Sequence, residues 1–298
     1  MTQAHAVDLD GVAPPLEAGT SLAPGYRVLA HLGRGGVSDL YDTWSDSRYC
    51  RCIAKVVRPD RANDPAARRR VLREGHRLSR LAHLHLVRAY EVIEQPRPVI
   101  ILETLGGVTL EYLIEHQRRH LSTVDVVRLG LHLCSALHYL HGQRLLHLDL
   151  KPANIVCDGG LAKVLDLDIA RPPGRSCGEG TRQYMAPEQV RRELLTPATD
   201  VWGLGTVLFE AATHRLPFDF GAGPRYPQLE SRATPIRALR RIPPTVAGLI
   251  DATLEPEPHR RPSIDDLYAE LASWVDATVG DEDCPRLPPH DGVRNTRA

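Results

Sequence analysis

The stretch from residue 147 to residue 168, HLDLKPANIVCDGGLAKVLDLD, contains the side chains whose types and spacing could do chemistry. Asp149 and Asn154 lie in a segment that is too polar for a core strand, and apolar residues at both of its ends predict a rigid loop. A turn at residues 158–160 separates two short strands, and the second strand would return Asp166 towards Asn154. A carboxylate and an amide on adjacent tight elements suit Mg²⁺, a hard cation that takes oxygen ligands and leaves positions open for phosphates. Asp149 would lie beside this metal as a proton acceptor.

The same stretch resembles the eukaryotic-type protein serine/threonine kinase family, and its bacterial members in particular. In that family the catalytic loop reads H-R-D-x-K-x-x-N and the metal-binding triplet reads D-F-G. Here the loop begins HLD, Lys151 and Asn154 follow at the family's spacing, and the triplet 166–168 reads DLD. A lone DxK or DxD pair would be an ordinary set of turn carboxylates, but both motifs match at once. The resemblance implies that Asp149 and Lys151 are catalytic and that Asn154 and Asp166 bind the metal.

Upstream of this stretch, a glycine-rich hairpin and a strand that carries a lysine resemble the family's ATP site. A strand follows the hairpin at residues 32–40, which excludes the dinucleotide fingerprint, where a helix follows. Alone, such a hairpin is more often a simple turn. Lys55 lies in an apolar strand, where it either snorkels to the surface or pairs with a negative group such as Glu74, on a helix predicted over 65–83. The resemblance implies ATP binding by Leu32, Gly33, Gly35, Leu40, Ile53, Lys55, Glu74, Glu103 and Leu105.

The predicted helix also carries a group of arginines, Arg68, Arg69, Arg70 and Arg73. We interpret them as a solvent-exposed helix face, and the alternative is a docking surface for an acidic partner.

The residues after the triplet resemble the family's activation segment, which ends at the motif Ala-Pro-Glu with Glu188 as its last residue. Thr181 matches the threonine that approaches the catalytic aspartate in serine/threonine-specific members. Arg261 matches the arginine that pairs with Glu188. Asp200, at the start of a predicted buried helix, is expected to bind backbone amides beneath the catalytic loop. A phosphate on the activation segment would be carried by Ser176 or Thr181.

Several positions depart from the family's pattern. Ser38 replaces the third glycine of the hairpin, and Ile53 puts a bulkier side chain than the usual alanine near the expected adenine. Leu148 replaces the arginine that bridges to a phosphorylated activation segment, so we predict that activity does not require this phosphorylation. Asp168 replaces a glycine, which predicts a triplet biased to one conformation and an additional carboxylate near the second metal.

Composition restricts the class of protein. Lys and Arg number 37 and so do Asp and Glu, so no overall field favours nucleic acid or an anionic membrane as a partner. The six cysteines form no CxxC pair or zinc-ligand ladder, and we interpret them as reduced intracellular thiols. No apolar run approaches the length of a membrane span, and the first residues show no signal pattern. We therefore predict a cytoplasmic protein without a membrane span.

The predicted fold class is α+β, in the two-lobed arrangement that the resemblance implies. We expect a disordered leader over 1–24, a kinase domain over 25–276 and a disordered tail over 277–298. Within the domain, a sheet-rich N-lobe would cover 25–105 and a mainly helical C-lobe 106–276.

The function implied by the resemblance is transfer of the γ-phosphoryl group of ATP, with Mg²⁺, to serine or threonine hydroxyls of protein substrates, including autophosphorylation. Two alternatives stay open. The first is a pseudokinase that acts as a nucleotide-binding scaffold, motivated by Ser38, Leu148 and Asp168. The second is a small-molecule phosphotransferase of kinase-like fold, against which Glu188 and Arg261 argue because those residues build a platform for protein substrates.

Overall fold

An antiparallel sheet and one helix form the first half of the chain in the computed structural model, which describes residues 13–117, 119–175, 178–221 and 223–278. The strands are β1 (Ser21–Ala23), β2 (Tyr26–Arg34), β3 (Ser38–Ser45), β4 (Cys50–Val57), β5 (Ala89–Ile93) and β6 (Val99–Glu103). They pair in the order β1-β2-β3-β4-β6-β5. Helix α1 (Pro65–Leu78) packs against β4, β5 and β6.

The alternation of β4 explains how the sheet presents Lys55 to helix α1. Cys52, Ala54 and Val56 face one apolar core, whereas Val57 belongs to the larger core that includes the helix. Because successive side chains of a strand point to opposite faces, Lys55 lies on the same face as Val57. The only lysine of this strand therefore points at the helix rather than at solvent.

Helix α1 has a capped N-terminus and one buried face. The Asp64 carboxylate accepts hydrogen bonds from the backbone N–H groups of Ala66 and Ala67 at 2.8 and 3.3 Å. The buried residues recur at helical spacing and are Ala67, Val71, Glu74, Gly75 and Leu78. The helix ends earlier than the predicted residue 83, because the N–H groups of residues 80 and 81 bond to carbonyls three residues back and close the last turn.

Helices are the longest elements after residue 105. They are α2 (Leu110–His116), α3 (Thr123–Gly142), α4 (Pro187–Val190), α5 (Pro197–Thr213), α6 (Pro244–Thr253) and α7 (Ile264–Thr278). The short strands are β7 (Val108–Thr109), β8 (Ile155–Asp158), β9 (Leu161–Val164), β10 (Gly174–Arg175) and β11 (Leu194–Leu195). Helix α5 is buried along nearly its whole length against α3, α6 and α7. The protein thus has the predicted α+β architecture, with a sheet-rich N-lobe and a mainly helical C-lobe.

In the part of the chain that the structure describes, none of the helices has the length and apolar character needed to cross a bilayer.

Residues 21–23 fall within the leader predicted to be disordered, but they form strand β1. Their backbone pairs with β2, and Ala23 is buried. The Leu16 N–H also donates to the Tyr41 hydroxyl at 3.0 Å, so contacts with the sheet order a segment that has no periodicity of its own. At the other end, α7 continues to Thr278, beyond the predicted boundary at 276. Residues 1–12 of the predicted leader and residues 279–298 of the predicted tail lie outside the described residues.

Candidate active site

A cavity of about 710 Å³ lies between the two lobes. It is lined by every residue that the resemblance assigned to ATP: Leu32, Gly33, Gly35, Leu40, Ile53, Lys55, Glu74, Glu103 and Leu105. Sequence reasoning missed Val87, Val156 and Leu165, which extend its apolar wall. The alternation of side chains along β8, and along β9 continued by one residue to Leu165, is the signal that could have found the last two. An apolar cavity with a few polar groups at its edge suits a planar ring with a polar rim.

The segment that joins the lobes, residues 103–107, is held against the C-lobe strands. Glu103 Oε1 accepts hydrogen bonds from Lys163 Nζ at 2.5 Å and from the Arg88 N–H at 2.9 Å. A Cβ atom on Gly107 would lie 1.9 Å from the carbonyl oxygen of Cys157, so the backbone there approaches β8 too closely for any side chain. The edge of the cavity is therefore a fixed stretch of backbone.

Lys55 lies between two carboxylates at the inner end of the cavity. Its Nζ lies 2.8 Å from Glu74 Oε1, 2.7 Å from Glu74 Oε2 and 3.1 Å from Asp166 Oδ1. Burial alone would lower the pKa of Lys55, but the negative charges of Glu74 and Asp166 outweigh it and raise that pKa. Burial also opposes ionisation of Asp166, yet the charge of Lys55 lowers the pKa of Asp166 to about 2. Lys55 is thus positively charged and can bind phosphate, and Asp166 is negatively charged and can bind a metal.

The catalytic loop forms a second network around Asp149. Its Oδ1 accepts hydrogen bonds from the Thr181 N–H at 2.9 Å and from the Thr181 hydroxyl at 2.7 Å. Lys151 Nζ lies 2.9 Å from Asp149 Oδ2 and donates to Thr181 Oγ1 at 2.7 Å. Asn154 Nδ2 donates to the Asp149 carbonyl at 2.9 Å. The carboxylate is oriented from several sides, and its side chain is still 20% exposed.

Asp200, on α5, holds the start of this loop, as the sequence predicted. Its carboxylate accepts the N–H groups of His147 and Leu148 at 2.9 and 2.8 Å and contacts His141 Nε2 at 2.8 Å. Burial opposes its ionisation, but the hydrogen bond from His141 and the nearby imidazoles lower the pKa of Asp200. The backbone of Leu148 has a φ of +69°, in the left-handed region, while its side chain packs with Leu146 and Leu195. A strained backbone is thus held by a buried carboxylate below and apolar packing beside it.

The end of the activation segment is anchored by a buried ion pair. Arg261 donates to both carboxylate oxygens of Glu188, at 2.7 and 2.9 Å, and the two side chains are 0% and 3% exposed. The guanidinium also lies 5.0 Å from the ring centre of Trp202 on α5. The pair predicted between these residues is present. The predicted phosphate carrier Ser176 lies outside the described residues.

Comparison with known proteins decides the family. A model described as the protein kinase domain matches residues 26–271 of this chain. The chain belongs to the protein kinase domain family. It is 34% identical over 212 residues to serine/threonine-protein kinase PknB of Mycolicibacterium smegmatis, a match that covers 66% of this chain and 34% of that protein. The predicted resemblance to bacterial members is thereby confirmed.

Two further relatives are also longer than the part of them that this chain matches. It is 30% identical over 271 residues to a probable serine/threonine-protein kinase of Streptomyces coelicolor, covering 84% of this chain and 40% of the relative. It is 31% identical over 209 residues to myosin light chain kinase 3 of Homo sapiens, covering 67% of this chain and 25% of the relative. The kinase domain therefore spans 25% to 40% of the length of these curated relatives.

In the triplet of this kinase domain, Asp168 contacts helix α1. Its carboxylate oxygens lie 2.6 and 2.7 Å from Arg70 Nε, and its role near a second metal stays a prediction. Arg70 was interpreted as part of an exposed face, and this contact corrects that interpretation. Arg68 also departs from it, because its guanidinium donates to the carbonyls of Ala62 and Pro96. The Asp168 N–H donates to Asp166 Oδ1 at 3.1 Å. Asp166 itself has a φ of +48°.

The donor atoms at the inner end of the cavity fit a hard divalent cation. Asn154 uses its amide nitrogen on Asp149, which leaves its oxygen as the donor atom for a metal. The Leu165 N–H donates to the Asn154 carbonyl at 2.8 Å, which brings Asp166 next to Asn154. Among the described residues, no three His, Cys, Asp or Glu side chains gather into a metal cage. Two protein oxygens completed by substrate phosphates are the usual arrangement for Mg²⁺.

Proposed function

We propose that this kinase domain transfers the γ-phosphoryl group of ATP to serine and threonine hydroxyls of protein substrates, with Mg²⁺ as its divalent metal. The observation that carries the proposal is the network around Asp149, whose Oδ1 lies 2.7 Å from Thr181 Oγ1 while Lys151 contacts both residues. Such a network orients a carboxylate for an incoming hydroxyl, which a purely nucleotide-binding site does not need. The closed contact between Lys55 and Glu74 supports the same reading.

The residues divide the work between positioning and proton transfer. Lys55 would hold the α and β phosphates, and the backbone of residues 33–36 would close over them. Asn154 and Asp166 would hold Mg²⁺, which supplies neutralisation of the charge on the phosphates. As the hydroxyl oxygen of the substrate forms a bond to the γ phosphorus, the bond from that phosphorus to the bridging oxygen of ADP breaks. Asp149 accepts the hydroxyl proton, and Lys151 stabilises the negative charge of the group in transit.

A direct test is phosphosite mapping. The full chain is incubated with ATP, Mg²⁺ and a protein mixture, and phosphorylated residues are identified by mass spectrometry, beside a Lys55→Met control. We expect phosphoserine and phosphothreonine that the control does not produce, including sites on the kinase itself. ATP binding without any phosphosite would indicate a nucleotide-binding scaffold. Transfer to small alcohols but not to proteins would indicate a small-molecule phosphotransferase.

The metal is tested by replacement. After chelation by EDTA, activity should return with Mg²⁺, because a carboxylate and an amide oxygen leave most positions of a small octahedral ion to phosphates and water. Restoration by Ca²⁺ alone would contradict this choice. We also place the reaction in the cytoplasm, where ATP is abundant, and the free thiols of Cys50, Cys52, Cys134 and Cys157 support a reducing compartment. Fractionation of the producing cells checks this location.

A further inference from the structure

Helix α1 touches the metal-binding triplet through side chains one turn apart. Arg70 and Glu74 are four residues apart and therefore lie on the same side of the helix. Glu74 reaches the triplet indirectly, because it contacts Lys55 and Lys55 contacts Asp166. Arg70 reaches it directly: its Nε lies 2.6 and 2.7 Å from the two carboxylate oxygens of Asp168, and its Nη2 lies 2.5 Å from Oδ2.

A third contact continues the same row. Arg77 Nη1 lies 3.4 Å from the carbonyl oxygen of Leu167 and 3.5 Å from that of Asp168. The helix thus contacts the side chain of Asp168, the last residue of the triplet, and the backbone of the triplet. These contacts add to the one with Asp166 that Lys55 mediates. A glycine at position 168, as in the family's D-F-G triplet, would offer no carboxylate for the first of these contacts.

The triplet needs an external support because its conformation is strained. Asp166 has a φ of +48°, a left-handed conformation that residues with a side chain rarely adopt and that persists only where surrounding contacts maintain it. The Asp168 N–H donates to Asp166 Oδ1 at 3.1 Å, so a displacement of Asp168 also displaces the metal-binding carboxylate. The contact with Arg70 restrains Asp168 from the opposite lobe.

We propose that Arg70 and Asp168 form an ion pair between the lobes that positions Asp166 for the metal and keeps helix α1 against the cavity. Both are positioning residues, because they act on the substrates through Asp166 and Glu74. The effect of the pair on the KM for Mg·ATP rests on the proposed phosphoryl transfer. The contact comes from two side chains of the chain itself, so the helix is held in place without a phosphate.

The charges around the pair are consistent with this role. The adjoining cavity of about 570 Å³ is lined by Arg61, Arg70, Arg73, Arg77 and Arg171 together with Asp64, Asp168 and Glu179. In this excess of positive charge, loss of the Asp168 carboxylate would leave Arg70 among like charges. The side chains of Arg70 and Asp168 are 39% and 19% exposed, so solvent screens the pair and its strength should decrease with salt.

The test is a double-mutant cycle of Arg70→Met and Asp168→Asn, with Arg69→Met as the matched control on the exposed side of the same helix. Two quantities are measured: the KM for Mg·ATP, and hydrogen exchange of the amides of residues 66–78 and 166–170 without nucleotide. Each single variant should raise KM about fivefold, the effect of a partly exposed pair worth about 1 kcal/mol. Exchange should increase in both segments, the double variant should be no worse than either single variant, and Arg69→Met should change neither quantity.

Three results would overturn the proposal. Arg70→Met could match Arg69→Met in both measurements, which would make the pair an ordinary surface contact. The effects of the two single variants could add in the double variant, which would show that the residues act independently. Asp168→Asn could alter the Mg²⁺ titration while Arg70→Met does not, which would make Asp168 a metal ligand. Hydrogen exchange needs no catalysis, so a failure of the proposed phosphoryl transfer would be recognised separately in the wild-type assay.

Discussion

Replacement of Arg261 by alanine should destabilise the kinase domain strongly, because the arginine satisfies a buried carboxylate and several carbonyls at once. Its guanidinium donates to both oxygens of Glu188, to the carbonyls of Ala198 and Glu255 at 2.8 Å, and to that of Pro256 at 3.1 Å. The Glu188 side chain is 3% exposed in the structure, so in Arg261→Ala its carboxylate loses its charged partner unless it rearranges or water enters. Removal of one partner from a buried pair costs about 3–5 kcal/mol.

This loss is large compared with the total stability of a domain, which is about 5–15 kcal/mol. At about 2–4 °C per kcal/mol for a domain of this size, the melting temperature should fall by about 6–20 °C. The assay is urea denaturation followed by circular dichroism, in which the midpoint should move while the slope stays constant.

The matched control is Arg260→Ala, since Arg260 is the exposed neighbour of Arg261. It should change the free energy of unfolding by less than about 0.5 kcal/mol, as exposed substitutions usually do. Arg261→Met combined with Glu188→Met should recover much of the loss, because replacement of both buried charges removes the unpaired carboxylate. A loss below about 1 kcal/mol in Arg261→Ala would refute the reasoning, because it would show that Glu188 finds another partner or that water enters the site.

Other predictions concern catalysis, phosphorylation and pH. Asp149→Asn should leave ATP binding nearly intact and lower kcat by about 10²–10⁴. Asp166→Asn should instead weaken Mg·ATP binding and also lower kcat. If the two variants behave alike in nucleotide titrations and rate assays, these roles are contradicted. Ser176→Ala and phosphatase-treated protein should keep most of the rate, because Leu148 offers no donor to a phosphate. A fall in rate of more than about tenfold, or roughly 1.4 kcal/mol in barrier, would show that another basic residue binds the phosphate. Burial lowers the pKa of His132 to about 4, below its ordinary 6.5. The unfolded chain therefore binds this proton first, so stability should be lost as pH falls from 6.5 to 4. Denaturation of His132→Asn at pH 7 and pH 4.5 checks this, since the variant should lose less stability, and an equal loss would assign the effect to other groups.

Much of the site could be predicted from the sequence because its contacts follow local geometry. The alternation of β4 puts Lys55 on the helix side, and the helical spacing of α1 puts Glu74 on the sheet side, so local geometry agrees with the pairing that the resemblance implied. The turn at residues 158–160 likewise determines where Asp166 returns. The contact of Thr181 with Asp149 was expected only from the family resemblance, since the segment between them has no periodicity.

The contact between Arg70 and Asp168 could not be predicted in the same way. The two residues are 98 positions apart, and their meeting depends on how helix α1 is rotated and how far it leans over the cavity. A run of arginines on a helix is usually exposed. Helical spacing puts Arg70 on the side of Glu74, but it does not say which distant residue Arg70 meets. Strand β1 escaped prediction for a related reason, because its order comes from hydrogen bonds to β2 and not from its own composition.

The buried position of Leu148 has a consequence for how this protein can change by mutation. A glycine there would relieve a left-handed backbone worth about 1–3 kcal/mol, but it would remove a side chain whose burial is worth about 2–5 kcal/mol, so packing keeps the leucine in place. Leu148→Arg, the one substitution that would give an activation-segment phosphate its usual partner, would put a charge among Leu146 and Leu195. Phosphorylation control through position 148 would therefore require a rearrangement of this apolar cluster as well as the substitution itself.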